Sequence, residues 1–292
     1  MKKPPISQKL LDLYDGYAHG AMTRREFVER VAVVGVIGFT TSAVVDALMP
    51  AYAEAKQIDD DDPRIETRSV VYASPNGAGE MGAYIARPAG VDGPLPGVVV
   101  IHENRGLNPH IADVARRTAL AGYVAMAPDA LYPLGGYPGD DDRGRALQRQ
   151  RDRNEMVEDF IAAVAHLQAE DGCNGTVGCV GFCFGGWVSN VLATRVPSLA
   201  AAVPFYGTAP RLEDVPDIRA PLLIHFAGLD KRVNATWPDY DAALTREGKV
   251  FTAHFYDGVN HGFHNDTTPR FDADAAALAW QRTLDFFAQR LR

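Results

Sequence analysis

A chain of 292 residues with 47% hydrophobic and 23% charged residues can bury a large core, as one sizeable domain or two small ones, and is too apolar for general disorder. Its formal net charge of −8 gives nucleic-acid binding no electrostatic footing and leaves a small molecule as the expected partner. Cys173, Cys179 and Cys183 are too few and too unevenly placed for a disulfide framework, and no Cys/His spacing resembles a zinc site. A Cys173–Cys179 bridge stays open, although Cys179 reads as lying within a strand.

The first fifty residues are a different kind of sequence. Thr23-Arg24-Arg25-Glu26-Phe27-Val28 precedes an apolar stretch, 31–49, rich in Gly, Ala and Thr, and Ala51-Tyr52-Ala53 then supplies the small residues a signal peptidase needs. This resembles a twin-arginine export signal with cleavage between Ala53 and Glu54. The long leader before Arg24 and the Glu29 standing where lysine is usual depart from that pattern. Asp46 within the apolar stretch argues against a membrane anchor, so no stable span is expected after cleavage. The expectation is therefore a leader over 1–53 read by the export machinery, a linker over 54–67 containing four consecutive aspartates, and a folded domain over 68–292. That places the mature protein in the periplasm or outside the cell, and in the cytoplasm only if the leader does not function.

From residue 68 the punctuation is regular. Runs 68–74 and 81–87 flank Pro75-Asn76-Gly77 as a hairpin-like strand pair, and 96–102, with Gly97-Val98-Val99-Val100-Ile101, reads as a fully buried central strand. A helix through Ile111, Ala115 and Leu120 follows, then a strand at 123–127 and a long helix near 151–168. Val177 to Trp187 is a strand that breaks at Gly181-Phe182-Cys183-Phe184-Gly185-Gly186 and resumes as a helix through Val188, Val191 and Leu192. Strands at 200–206, 221–227 and 250–256 and helices at 240–246 and 274–290 complete the chain. Strands alternating with helices predict a mostly parallel sheet of about eight strands covered on both faces.

The break at Cys183 is the pattern of a nucleophile elbow, with cysteine where serine is commoner. Its tight turn requires glycine on both sides, and it sets the sulfur at a helix N-terminus that favours a thiolate. A buried structural cysteine is the bland alternative. It loses ground because Asp230 follows the seventh predicted strand and His261 the eighth. Nucleophile, acid and histidine thus come in the chain order of an α/β-hydrolase, each at a strand's carboxyl end.

With Ile101-His102-Glu103, Gly106, Asn108, Ala127-Pro128-Asp129, Leu131-Tyr132, Phe205-Tyr206-Gly207 and His261-Gly262-Phe263 added to the elbow, residues 68–290 resemble the dienelactone hydrolase family. The resemblance implies the α/β-hydrolase fold, with Cys183 as nucleophile, His261 as general base and acid, and Asp230 orienting it. It also implies an oxyanion hole from the backbone N–H groups of Phe184 and Asn104, and Glu103 as a carboxylate contacting the resting thiol. Hydrolysis of a small ester or lactone through a thioester follows, with neither cofactor nor metal implied. A thioesterase or general carboxylesterase on the same triad, and a non-catalytic exported binding protein of the same fold, are the alternatives. Family members that open dienelactone hold its carboxylate with two arginines, and the corresponding positions here are Leu134 and Asn265. A neutral substrate is therefore expected, in a pocket drawn from Tyr132, Trp187 and Tyr206, with Arg105 or Arg143 as the cations that could compensate.

Overall fold

The structure is a computed structural model describing residues 3–292. Its body is one eight-stranded sheet, and the chain reaches it through four helices: α1 (Gln8–Ala18), α2 (Arg24–Val34), α3 (Thr41–Leu48) and the short α4 (Tyr52–Ala55). The sheet and its helices then follow in the order β1 (Ile65–Ser74), β2 (Gly79–Pro88), β3 (Leu95–Ile101), α5 (Pro109–Leu120), β4 (Val124–Pro128), α6 (Asp141–Gln148), α7 (Arg153–Gln168), β5 (Cys173–Phe182) and α8 (Phe184–Arg195). The last part is β6 (Ala201–Phe205), β7 (Leu222–Ala227), α9 (Lys231–Asn234), α10 (Trp237–Arg246), β8 (Phe251–Tyr256) and α11 (Ala273–Leu291).

The strands are ordered β1-β2-β4-β3-β5-β6-β7-β8, antiparallel at the β1–β2 and β2–β4 pairings and parallel from β4 to β8. The two-residue pleat sorts β3 between two cores. Val99 and Ile101 face Phe160, Val164 and Leu167 of α7 and Val188 and Leu192 of α8, whereas Val98 and Val100 face Ile111 and Val114 of α5 and Phe287 and Leu291 of α11. Both faces are thus dry, which is why β3 reads as continuous apolar sequence. Polar caps fix where the helices begin: Asn108 accepts from Ile111 N at 3.1 Å before α5, and Asp152 accepts from Asn154 N and Glu155 N before α7. The expected helix near 151–168 is α7, its start set by Asp152, and α6 ahead of it was not anticipated from the apolar pattern.

Where an export leader is expected, α1–α3 pack round a core of Leu10, Tyr14, Tyr17, Phe27, Val31, Val44, Val45 and Leu48. The Thr23-Arg24-Arg25-Glu26 stretch is here a capping box: Thr23 Oγ1 accepts from Glu26 N, and the Glu26 carboxylate accepts from Thr23 N at 2.7 Å. The apolar stretch 31–49 is interrupted at Gly35 and Gly38, both at positive φ, and restarts at α3 behind its Thr40 cap. Among the described residues no helix is long and apolar enough to cross a membrane. The expected linker is also tied down, with Gln57 N and Ile58 N donating to the Asp113 carboxylate and Arg116 Nε donating to Ile58 O.

Candidate active site

β5 ends at Phe182 and α8 starts at Phe184, leaving Cys183 alone at the turn with φ 57° and ψ −110°. A non-glycine residue at positive φ is strained, so the surrounding contacts must hold it there. Cys183 N donates to Phe205 O at 3.1 Å, and Cys183 O accepts the first helical bond, from Trp187 N at 3.1 Å. Glycine is enforced on both flanks: a Cβ on Gly181 would lie 2.0 Å from Gly185 O, and one on Gly185 would lie 2.3 Å from Ile101 O. The sulfur therefore emerges at the head of α8, beside the carboxyl ends of β3, β5 and β6.

The loops after β7 and β8 bring the predicted partners to it. His261 Nδ1 donates to Asp230 Oδ2 at 2.5 Å, and Asp230 is itself fixed as the N-cap of α9, accepting from Val233 N at 3.0 Å. That leaves the second ring nitrogen of His261, Nε2, buried and without a hydrogen-bond partner. Burial disfavours charge on all three groups, yet mutual attraction overrides it. The His261 and His19 rings hold the Cys183 thiol down at about 5, while the Cys183 charge and Asp230 raise His261 to about 10. The mutual attraction favours a thiolate beside an imidazolium. Phe184 N and Asn104 N have no hydrogen-bond acceptor among the described residues, which leaves both free to donate to an oxyanion.

The residue that sequence reasoning missed is His19, set aside within the supposed leader. Its Nε2 lies 3.4 Å from Cys183 Sγ, and its ring meets His261 edge-on with centroids 4.6 Å apart. Asp15, one helical turn earlier, accepts from His19 Nδ1 through its backbone oxygen at 2.9 Å, with a carboxylate oxygen at 3.3 Å. Arg232, also missed, puts Nη2 3.3 Å from His19 Nε2 and 3.5 Å from His261 Nδ1. No periodicity in α1 could have announced this, because the contact is made across 164 residues of chain.

Several expected site residues lie elsewhere. Glu103 makes no hydrogen bond to the thiol: it accepts from Asn265 Nδ2 at 2.9 Å and faces Arg105 at 3.5 Å, and although burial opposes its charge the Arg105 guanidinium holds it below the ordinary glutamate value. Arg105 is spent as well, fully buried between Glu103 and Asp141, the latter at 2.9 Å, so it offers no guanidinium to a substrate. Tyr132 lies apart from the sulfur, on a cavity of about 680 Å³ shared with Tyr84, Leu107 and Tyr137 that includes no triad residue. Tyr206 is buried against the His261 ring, 4.9 Å between centroids, and Trp187 packs on Phe184 with the Arg153 guanidinium 4.0 Å above its ring. Asn265 is buried and Leu134 lies half-exposed, so neither expected clamp position carries a cation. Cys173 and Cys179 are free, and six residues apart on one extended strand they are separated by about 20 Å, beyond any disulfide.

A smaller cavity of about 310 Å³, which likewise includes no triad residue, borders the elbow at Phe184 and is lined also by His19, Asn104, Arg145, Arg149, Arg151 and Arg153. Arg145 and Arg151 are paired with Asp142 and Asp159, whereas Arg149 and Arg153 have no ion pair among the described residues. The ring nitrogens of His19 and His261 and the Cys183 sulfur lie within 4.8 Å of one another, the one grouping among the described residues with metal-ligand donors so arranged. The Arg232 guanidinium beside His19 opposes a cation there.

Residues 81–291 match the model of the dienelactone hydrolase family, and residues 1–35 match a second family model described as YqhI-like. A Synechocystis sp. protein named "Putative carboxymethylenebutenolidase" is 33% identical over 250 residues, covering 78% of this chain and 99% of its own. An Escherichia coli K12 protein named "Putative hydrolase fragment YghX" is 56% identical over 113 residues, 39% of this chain and 97% of its own. The crystal structure of a putative dienelactone hydrolase from Klebsiella pneumoniae superposes with a TM-score of 0.67 at 28% identity, covering 77% of this chain and 99% of that one.

Proposed function

The chain belongs to the dienelactone hydrolase family and is a hydrolase of ester or lactone bonds, and from that premise we propose that it works through a Cys183–His261–Asp230 triad and a thioester acyl-enzyme. The observation that carries this reading is a thiol at a strained elbow beside an imidazole whose other nitrogen is bonded to a carboxylate at 2.5 Å. The Cys183 thiolate attacks the carbonyl carbon, and the oxyanion is received by Phe184 N–H and Asn104 N–H. His261 gives its proton to the departing alkoxide or enolate oxygen. Neutral His261 then takes a proton from water as that water attacks the thioester, the C–S bond breaks, and the acid and the thiolate are regenerated.

The charge of the substrate is a finer matter. Leu134 and Asn265 supply no clamp, which supported a neutral substrate, but Arg149 and Arg153 border the cavity at Phe184 from another side. We take the substrate to be a small ester or lactone whose negative charge, where it has one, is met there. Comparing kcat/KM for an anionic and a neutral ester of equal size, in wild type and in Arg149→Ala/Arg153→Ala, tests this. Loss confined to the anion supports it, and equal rates throughout restore the neutral reading.

Export is a separate proposal, supported by the Arg24-Arg25 pair, and removal of residues 1–53 at Ala51-Tyr52-Ala53 is its competing extension, since it would take the helices α1–α3 off the enzyme. Peptidase access would require release of Ala51 N from Thr267 O, 2.8 Å away, and of Tyr52 from Asp141. Replacing Arg24-Arg25 by Lys-Lys and following the chain between cell fractions tests it; unchanged distribution sinks it. The chemistry is tested with a chromogenic ester. Wild type is expected to give a burst and an acyl mass increment on Cys183, and Cys183→Ala to give neither. A burst surviving in Cys183→Ala overturns the thioester route, and silence of wild type towards short esters and lactones revives the binding-protein alternative.

A further inference from the structure

We infer that the helical cap over residues 8–49 remains on the working enzyme and supplies His19 as a second imidazole to the Cys183 sulfur, so that two histidines, each with an aspartate beside its Nδ1, face one thiolate. The inference rests on Cys183 being the nucleophile. Its geometry is that of a built site. His19 is the C-cap of α1, where the helix carbonyls and the negative end of the dipole favour an imidazolium. Nδ1 is held by Asp15, which leaves Nε2 aimed at Sγ at 3.4 Å. Asp15 in turn is held by Arg270 Nη1 at 2.8 Å, and the buried Arg270 guanidinium lies 4.8 Å from the centroid of the Tyr14 ring.

Around His19, the charges of Cys183 and Asp15 favour its protonation, whereas burial and the His261 ring oppose it and Arg232 stands 3.3 Å away; the net effect raises it above the ordinary histidine range. The seam that delivers the ring is extensive. Asn104 Nδ2 donates to Ala18 O at 2.8 Å, Arg24 pairs with Asp142 at 2.7 Å, the Tyr17 hydroxyl donates to Asp142, and Gln8 bonds Asn260.

A second imidazolium has distinct work to do. His261 must surrender its proton to the leaving oxygen during acylation and take one from water during deacylation. His19 surrenders none. Its charge stays beside the sulfur, stabilising the thiolate before attack and again as it departs when the thioester C–S bond breaks.

The test needs no turnover, so it stands apart from the identity of the substrate. Thiolate absorbance of the full-length chain is followed against pH, with Cys183→Ala subtracted to remove Cys173 and Cys179. In His19→Ala the midpoint is expected to rise by about one unit or more, alkylation at about pH 4, below both midpoints, to slow about tenfold, and added imidazole to restore part of both. Asp15→Asn, which leaves the ring in place, is expected to shift the midpoint less and in the same direction, and it carries the test if His19→Ala fails to fold. Unchanged midpoints in the folded variants overturn the proposal, as would native enzyme whose chain begins at Glu54.

Discussion

The sheet body and the helical cap are held by different forces. The body buries two broad apolar faces, with β3 to β7 dry on both sides, and its site residues hang from strand ends that cannot move without opening that core. The cap has a small core of its own, but it meets the body through charge-assisted bonds: Asp15 to Arg270, and Arg24 and Tyr17 to Asp142. Apolar burial does not titrate and is not screened, whereas partly exposed ion pairs are weakened by salt and by pH. The active site is therefore assembled from a rigid half and a half whose attachment responds to the medium.

The comparison breaks most severely where the rigid half is struck. Gly185→Ala forces a Cβ to within 2.3 Å of Ile101 O, and it is expected to destroy the elbow and with it all alkylation of Cys183 at neutral pH; normal alkylation would mean the turn tolerates a side chain. His261→Ala is expected to lower kcat by roughly a thousandfold or more with the melting temperature little changed, and Asp230→Asn by roughly a hundredfold or more through a misdirected ring. Rates within a few fold of wild type would remove His261 from the chemistry.

The seam comes next. Arg270→Met keeps the length of the side chain and removes the charge, at a cost of about 1–3 kcal/mol because Asp15 is one-third exposed. It should speed amide exchange in α1 roughly tenfold while leaving β3 and β5 unchanged; equal acceleration in both would mean that cap and body open together.

The pH dependence sharpens the contrast. Partners depress Asp15 and Asp142, so their contribution is present above the ordinary carboxylate range and is lost only as pH falls through the lowered values. His19 is raised, so its contribution is full below the ordinary histidine value and is lost as pH climbs through the raised one. Exchange in α1, corrected for intrinsic rate, should therefore pass through a minimum between the ordinary carboxylate and ordinary histidine values, about 4 to 6.5, and rise on either side. A flat profile would show that these charges do not hold the cap.

The smallest effect belongs to Thr23→Ala, which removes the N-cap of α2 and leaves Arg24-Arg25 untouched. About 1 kcal/mol of cap stability should be lost, read as faster exchange confined to α2. An unchanged rate would make the capping box incidental.

The body was legible because its logic is written in period and order. The continuous apolar run of β3, the glycines round Cys183, and Asp230 and His261 after successive strands each follow from local constraint. The cap was not. Thr23-Arg24-Arg25-Glu26 serves equally as an export signature and as a capping box, and nothing local in His19 says that it lies against a sulfur 164 residues away. Glu103 failed for the same reason: whether a carboxylate faces the thiol or turns to Asn265 and Arg105 is decided by side chains from three separate segments.

The arrangement of the three cysteines bears on how this protein would age. A thiolate that persists at neutral pH is the form oxidants attack, giving first a sulfenic acid that a nearby thiol can rescue as a disulfide. Neither neighbour is available: Cys179 is sealed within β5 with its thiol pushed up to about 12 by burial, and Cys173 lies ten residues back at the far end of the same strand. Oxidation of Cys183 should therefore run on to the sulfinic acid and end there, making peroxide an irreversible poison unless a small external thiol can slip beneath the cap in time.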